Sequence, residues 1–155
     1  MKSEFDTEQW RAIRDAKLHG WIGDAYAVEF IVLVGEVCEI WDDLIDEDKE
    51  LTKNDIHNAF WLLLIDLPLN PCFDSYKGRL IPVITTAVNA WMDANTFEQG
   101  SADDKNIAYM LRNLGIELTM FVIYLLHGRD YMRQKSMEIR RFFYHETLNQ
   151  YLEKL

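Results

Sequence analysis

The chain has 155 residues, of which 49% are hydrophobic and 13% aromatic, so it can bury a core and is too apolar to be disordered. Its formal net charge of −10 argues against a nucleic-acid-binding surface, which needs a basic footprint. The acidic N-terminus is unlike a signal peptide, and no apolar stretch reaches the roughly 20 residues of a membrane span. We therefore expect a cytoplasmic protein with neither nucleic-acid binding nor a membrane span.

Helical periodicity and turn residues predict an all-α fold, and no alternation long enough for a β-sheet is present. The predicted helices cover about 7–18, 24–48, 52–67, 80–99, 105–127 and 130–155. Short joints that contain Pro or Gly connect them, as in one bundle rather than in separate domains. The sequence thus predicts a single all-α domain over residues 1–155, a bundle of about six helices around the second one.

Helix ends are assigned from residues that can cap a free backbone N–H. Asp6 is the predicted cap of the first helix, which His19 and Gly20 end, and Gly23-Asp24 opens the second. Thr52 or Asn54 is expected to cap the third helix. Pro82 is placed in the first turn of the fourth, where a missing N–H costs nothing, and Asp103 or Asp104 caps the fifth.

The second predicted helix carries acids along one side. At about 100° per residue, one arc of roughly 100° holds its regularly spaced acids, Glu29, Glu36, Glu39, Asp43 and Asp46. Solvated helix faces usually mix signs, because like charges three or four positions apart repel each other. A divalent cation would remove that repulsion, and oxygen ligands suit Mg²⁺ or Mn²⁺. The alternative is an ordinary acidic surface. Cys38, on the apolar side, is predicted to be a buried structural thiol.

Two further polar faces could complete such a site. On the fourth helix Thr85, Asn89, Asp93 and Thr96 form a narrow line that faces either a polar site or water. On the fifth, Glu117 stands in an apolar run, so if buried it must be paired, protonated or metal-bound. It could line a pocket with the central acids or form an ion pair with Arg112 or another Arg.

Positive charge collects in the last predicted helix. Arg129 and Arg133 are one helical turn apart, a spacing that lets two guanidinium groups clamp phosphate oxygens also held by a metal. Surface ion pairs are the alternative role.

The run Asp42-Asp43-Leu44-Ile45-Asp46 resembles the DDxxD motif of class I isoprenoid synthases. In that family the aspartates bind Mg²⁺ ions that hold a substrate diphosphate, and the motif ends a bundle helix. The resemblance implies Asp42, Asp43 and Asp46 as ligands. The second metal motif of the family is matched in spacing but not in residue type by Thr85, Asn89 and Asp93.

The run Glu36-Val37-Cys38-Glu39 is similar to the ExxE motif of all-α nucleoside triphosphate pyrophosphatases, the MazG-like and dimeric dUTPase group. In that group two helices supply carboxylates for Mg²⁺ ions that activate water. The following helix lacks the partner ExxD motif, so Asp93 or Glu117 would have to substitute.

Both resemblances imply metal-dependent chemistry on a small phosphorylated ligand, a nucleoside triphosphate or an isoprenyl diphosphate. The predicted metal ligands are Glu36, Glu39, Asp42, Asp43, Asp46, Asp93 and Glu117. Glu39 and Asp43 are the predicted catalytic carboxylates, and Arg129 and Arg133 the phosphate-binding residues. The alternative is a non-enzymatic acidic helical protein, in one form a homodimer, that binds a basic partner such as a nucleic-acid-binding surface.

Overall fold

The computed structural model describes residues 8–47 and 49–155, and every regular element among them is helical. The elements are α1 (Glu8–Ile22), α2 (Ala25–Asp46), α3 (Lys53–Trp61), a π-helical segment (Leu62–Asp66), α4 (Leu67–Leu69), α5 (Pro71–Phe97), α6 (Ala102–Arg112), α7 (Gly115–His127), α8 (Arg129–Phe143) and α9 (Leu148–Leu152). Because α3, the π segment and α4 are continuous, and only a turn separates α6 from α7, these elements make six long helical stretches and a short last helix. The all-α prediction is confirmed.

The chain divides into two compact units, an N-terminal unit of Met1–Lys77 and a C-terminal unit of Gly78–Leu155. The boundary falls inside α5. The predicted single domain over 1–155 stays a prediction.

The N-terminal unit is organised around α2, which contacts α1, α3 and the π segment. The ring of Phe30 in α2 is fully buried and stacks on Phe73 with ring centroids 5.8 Å apart. The other buried apolar residues of this unit are Leu18, Trp21, Ile22, Ala27, Val28, Leu33 and Cys72. All of these residues lie on α1, the first half of α2 or the first turn of α5. The second half of α2 and the helical stretch 53–69 contain no buried residue.

The C-terminal unit contains the contacts of α7 with α8 and of α6 with α9. Its largest fully buried side chains are Leu80, Val122, Ile123 and Ile139. Ala94, Ala108 and Tyr151 form a second buried cluster, against which Phe97 and Leu148 pack.

Local capping explains where several helices begin. The side chain of Asp24 accepts a hydrogen bond from the N–H of Ala27 at 2.8 Å, which confirms it as the start of α2. Thr52 caps α3 in a reciprocal capping box with Asp55, as the sequence predicts. At α6 the cap is Ser101 rather than either predicted aspartate, and Asp104 is the third-position partner of its box.

Two predicted boundaries differ from the structure for backbone reasons. α1 runs through His19 and Gly20 and ends at Ile22. The next residue, Gly23, has a φ of +73°, a conformation that favours glycine. α5 begins at Pro71, where a missing N–H costs nothing, so Pro82 lies inside the helix rather than in its first turn.

Three more predictions concern the two ends of the chain and Cys38. The last helix is shorter than predicted, because α8 stops at Phe143 and a new capping box, Thr147 with Gln150, starts α9. Asp6, the predicted cap of α1, lies outside the described residues. Cys38 is exposed, not buried, and the buried thiol is that of Cys72.

The stretch Ala102–His127 is long and apolar enough to cross a membrane by length and composition, although neither α6 nor α7 alone is that long. A third of its most apolar window is buried in the protein, and core helices of soluble proteins meet the same criterion. The expected absence of a membrane span stays a prediction.

Candidate functional site

The acidic side of α2 is continuous, because the helix runs unbroken from Ala25 to Asp46. Its carboxylates nevertheless meet cations of the same unit. Glu39 lies 3.4 Å from Nη2 of Arg11 and 3.8 Å from Nη1 of Arg14, and Asp43 lies 3.8 Å from Nζ of Lys49. The two predicted catalytic carboxylates are therefore ion-pair partners within the chain.

Arg14 is the residue of this surface that the sequence reasoning missed. Only 11% of its side chain is exposed, and its Nε donates to Asp15 at 2.9 Å. The signal was present, since Arg11 and Arg14 are three residues apart on α1 and so share a helix face.

The C-terminal end of α2 carries negative charge, whereas a helix C-terminus is stabilised by positive charge. Cations stabilise the partial negative charge of a helix C-terminus, but the last turn of α2 has no basic residue. Asp42, Asp43 and Asp46 stand there instead. Glu47 follows in the left-handed conformation at φ +54°. Repulsion among these acids and repulsion between them and the negative end of the helix dipole therefore add up at one place, and added positive charge would relieve both.

The polar line on α5 faces water. Thr85, Asn89, Asp93 and Thr96 are all exposed, and Asn89 donates to the carboxylate of Asp93 at 2.9 Å. Of the two interpretations that the sequence left open for this line, the structure supports the solvated one.

Glu117 is paired rather than isolated. Nη1 of Arg140 donates to its carboxylate, and 42% of the Glu117 side chain is exposed. This is the ion-pair alternative that the sequence left open, with Arg140 as the partner in place of Arg112. Arg129 and Arg133 are exposed on α8, and neither guanidinium forms an ion pair within the described part of the chain.

The predicted metal ligands fall in both units, with five on α2, Asp93 on α5 and Glu117 on α7. Over residues 8–47 and 49–155, no three His, Cys, Asp or Glu side chains are grouped as metal ligands would be. Asp48, next to the DDxxD run, lies outside that range. The acids of α2 share a face without converging on one point.

A second surface of the N-terminal unit is apolar and exposed. We call it the apolar ridge, and it consists of six large residues of the stretch 60–69, namely Phe60, Trp61, Leu63, Leu64, Ile65 and Leu69. Leu69 is 74% and Leu64 68% exposed, and the two aromatic residues are each 60% exposed. Helical periodicity in the predicted helix over 52–67 favours an apolar stripe that includes Phe60, Leu63 and Leu64, but the described part of the chain leaves these side chains exposed.

In the C-terminal unit the main polar feature is a buried network that the sequence reasoning also missed. Glu98 is only 8% exposed and accepts hydrogen bonds from Nε and Nη2 of Arg112 and from the hydroxyl of Tyr151. Nη2 of Arg112 also donates to Asn95 at 2.7 Å. Because these polar groups are hydrogen-bonded to one another, we assign the network to stabilising the fold rather than to binding a ligand.

Burial raises the pKa of Glu98, but the hydrogen bonds from Arg112 and Tyr151 lower it more, so its pKa is below the usual value. The pKa of Tyr151 is raised by burial and by its hydrogen bond to Glu98. A charged Glu98 and a neutral Tyr151 are therefore the stable forms at neutral pH.

Comparison with known proteins yields no matching family model, no matching curated protein and no matching solved structure. The resemblances to isoprenoid synthases and to all-α pyrophosphatases therefore stay predictions.

Proposed function

We propose that this protein is a non-enzymatic helical interaction protein that binds a basic partner through its N-terminal unit. The observation that carries the proposal is the charge distribution. The N-terminal unit holds seven Lys or Arg and seventeen Asp or Glu, a net charge of −10, whereas the C-terminal unit holds nine of each and is neutral. The whole net charge of the protein thus belongs to one unit.

The arrangement of the acids favours binding of a macromolecule over chemistry on a small ligand. Glu39 and Asp43 meet cations of the same chain, and no three candidate ligands are grouped among the described residues. Acids outnumber bases at the end of α2, where Asp46 and Glu47 are exposed and the helix dipole adds to the negative potential. Such a field attracts a positively charged partner and speeds its association.

The test is binding of a fluorescent peptide rich in Lys and Arg, measured by fluorescence anisotropy at increasing salt. The triple variant Asp43→Asn, Asp46→Asn, Glu47→Gln is compared with Asp103→Asn, Asp130→Asn, Glu153→Gln, which removes the same charge from exposed positions of the C-terminal unit. We expect at least about tenfold weaker binding for the first variant, about 1.4 kcal/mol, and less than about twofold for the second. Equal losses in both would refute the assignment to the N-terminal unit.

The metal-dependent hypothesis uses some of the same carboxylates and is separated by a different measurement. It proposes that Mg²⁺ or Mn²⁺ displaces Lys49 from Asp43 and recruits Glu36, Glu39, Asp42 and Asp46. A ligand at about 100 times its dissociation constant stabilises the folded state by roughly 2.7 kcal/mol. A saturable rise in melting temperature with Mg²⁺ after EDTA treatment, lost in Asp43→Asn, would favour the metal site over our proposal. We expect no such rise.

A further inference from the structure

We infer that the apolar ridge is the docking site for an amphipathic helix of the partner protein, one whose apolar stripe is flanked by Lys and Arg. This inference rests on the proposed function and adds the place and the chemistry of recognition. Exposed apolar patches on soluble monomers rarely exceed a few hundred Å², and those bordered by polar residues mark interaction sites. The ridge concentrates six large apolar side chains within ten residues, each of them at least 39% exposed, and we infer that together they serve as such a site.

The ridge lacks a cover within the described chain. Not one residue of α3, the π segment or α4 is buried, although the stretch 53–69 contains nine large apolar side chains. Covering these exposed Leu and Phe side chains would remove apolar area from water, so docking of an apolar surface on the ridge is favourable. Phe60 and Trp61 add aromatic side chains of the type that anchors protein interfaces.

The π segment is a second, independent feature that points to a function for this stretch. The N–H of Leu67 bonds to the carbonyl of Leu62, five residues back, where an α-helix would bond four back. Departures of this kind cost regular hydrogen bonding and are frequent at functional sites. This one lies in the middle of the ridge.

The stretch 53–69, which carries the ridge, runs beside the acidic helix α2, and the negative charge of α2 favours a basic partner. Six residues connect the end of α2 to the start of the stretch 53–69. Just past its other end, Nδ2 of Asn70 donates to the carbonyl of Tyr26 at 3.0 Å and to Glu29 at 3.2 Å. It therefore returns along α2 from the end that carries Asp43 and Asp46 to the end that carries Asp24 and Glu29.

A helix with basic residues beside its apolar stripe matches both the apolar and the acidic parts of this surface. The described chain has no strand edge that an extended peptide could join, so helix-in-groove recognition is the mode that fits. A second copy would bring another −10 unit against the first, and an anionic membrane would repel the same charge.

The experiment uses the full chain and a synthetic Leu/Lys peptide of about 18 residues with helical periodicity, together with a scrambled peptide of the same composition. Binding is measured for the wild type, for Leu64→Ser/Leu69→Ser, and for the matched control Met92→Ser/Met137→Ser on the C-terminal unit. All four positions are exposed, so helicity should stay unchanged in both variants. We expect the amphipathic peptide to bind at least ten times more weakly to the ridge variant and unchanged to the control.

A second readout follows Trp61 directly. Its ring is exposed in the free protein, so docking of a peptide without Trp should shift the emission to shorter wavelength, and Trp61→Phe should abolish that shift. An unchanged affinity of the ridge variant, or no dependence of the emission on Trp61, would overturn the docking site.

The outcomes separate this inference from the proposed function. If both peptides bind equally and the ridge variant loses nothing, the charge proposal stands and the ridge is not its docking site. If neither peptide binds the wild type, the proposed function fails. A dimer in sedimentation that the ridge variant dissociates would make a second copy the occupant, and ridge-dependent binding to phosphatidylcholine vesicles would make it a membrane. Both results overturn the peptide assignment.

Discussion

The two units of this chain are equally hydrophobic, with about half of the residues apolar in each, but they differ in net charge and in how much apolar surface they bury. In the C-terminal unit acids and bases balance, and its main ion-pair network, Glu98 with Arg112, is buried and completed by a tyrosine. In the N-terminal unit charge is in excess, the ion pairs of α2 are half-exposed, and the longest apolar run lies on the surface. The C-terminal unit pairs its buried polar groups with one another. The N-terminal unit leaves an excess of acids and an exposed apolar surface that another molecule could bind.

The largest expected effect lies in the C-terminal unit. Glu98→Ala leaves the guanidinium of Arg112 in a largely buried setting without its carboxylate, and removing one member of such a pair costs about 3–5 kcal/mol. Glu117→Ala breaks the half-exposed pair with Arg140 and should cost less than about 1 kcal/mol. Urea unfolding followed by circular dichroism measures both. Similar losses would mean that the Glu98 network is no more than a surface ion pair.

Low pH should weaken the network of Glu98, Arg112 and Tyr151 without any mutation. Because the pKa of Glu98 is lower in the folded than in the unfolded state, its stabilisation is present above the unfolded value of about 4.3 and is lost as pH falls through the folded value. We therefore expect the free-energy difference between wild type and Glu98→Gln to shrink as pH falls from 6 toward 2. A difference that stays constant over this range would contradict the lowered pKa.

A smaller effect is expected where α1 meets α2. Arg14→Met keeps the length of the side chain but removes its contacts with Asp15 and Glu39, and we expect a loss of about 1 kcal/mol in unfolding free energy. Arg11→Met is the control, because Arg11 is half-exposed and meets the same carboxylate, and it should cost at most half as much. Equal costs would show that burial of Arg14 adds nothing.

The smallest effect on stability belongs to the ridge. Leu64→Ser should change the unfolding free energy by less than about 0.5 kcal/mol, since the side chain is mostly exposed. Leu80→Ala, at a fully buried leucine of the C-terminal unit, should cost about 2–5 kcal/mol by the same urea titration. A loss at Leu64 comparable to that at Leu80 would show that the ridge is part of a core.

Local patterns in the sequence predicted most of the helices, because caps and periodicity act over a few residues. Asp24, Thr52 and the acidic face of α2 lie as predicted. The predicted start of the fourth helix at residue 80 is wrong, because a proline is favoured in a first turn but the long helix α5 accommodates Pro82 in its interior.

What could not be predicted depends on contacts far apart in the chain. Glu98 and Tyr151 are 53 residues apart, and Glu39 lies 28 residues from Arg11, so no short window contains either pair. The apolar stripe of residues 56–67 has the same periodicity whether its own chain or another molecule covers it. Periodicity identifies an apolar face but not its partner, so it cannot tell whether Phe60 and Leu64 lie in the core of this chain or in an interface with another molecule.

The π segment also fixes the phase of the stretch it interrupts. A turn closed between residues five apart holds one residue more than an α-helical turn, so whatever follows it is rotated by roughly 100° relative to an uninterrupted α-helix. Asn70 follows directly after α4 and reaches Tyr26 and Glu29 in this rotated phase. A chain with one residue fewer between 62 and 66 could keep either the ridge or the Asn70 anchor in place, but not both.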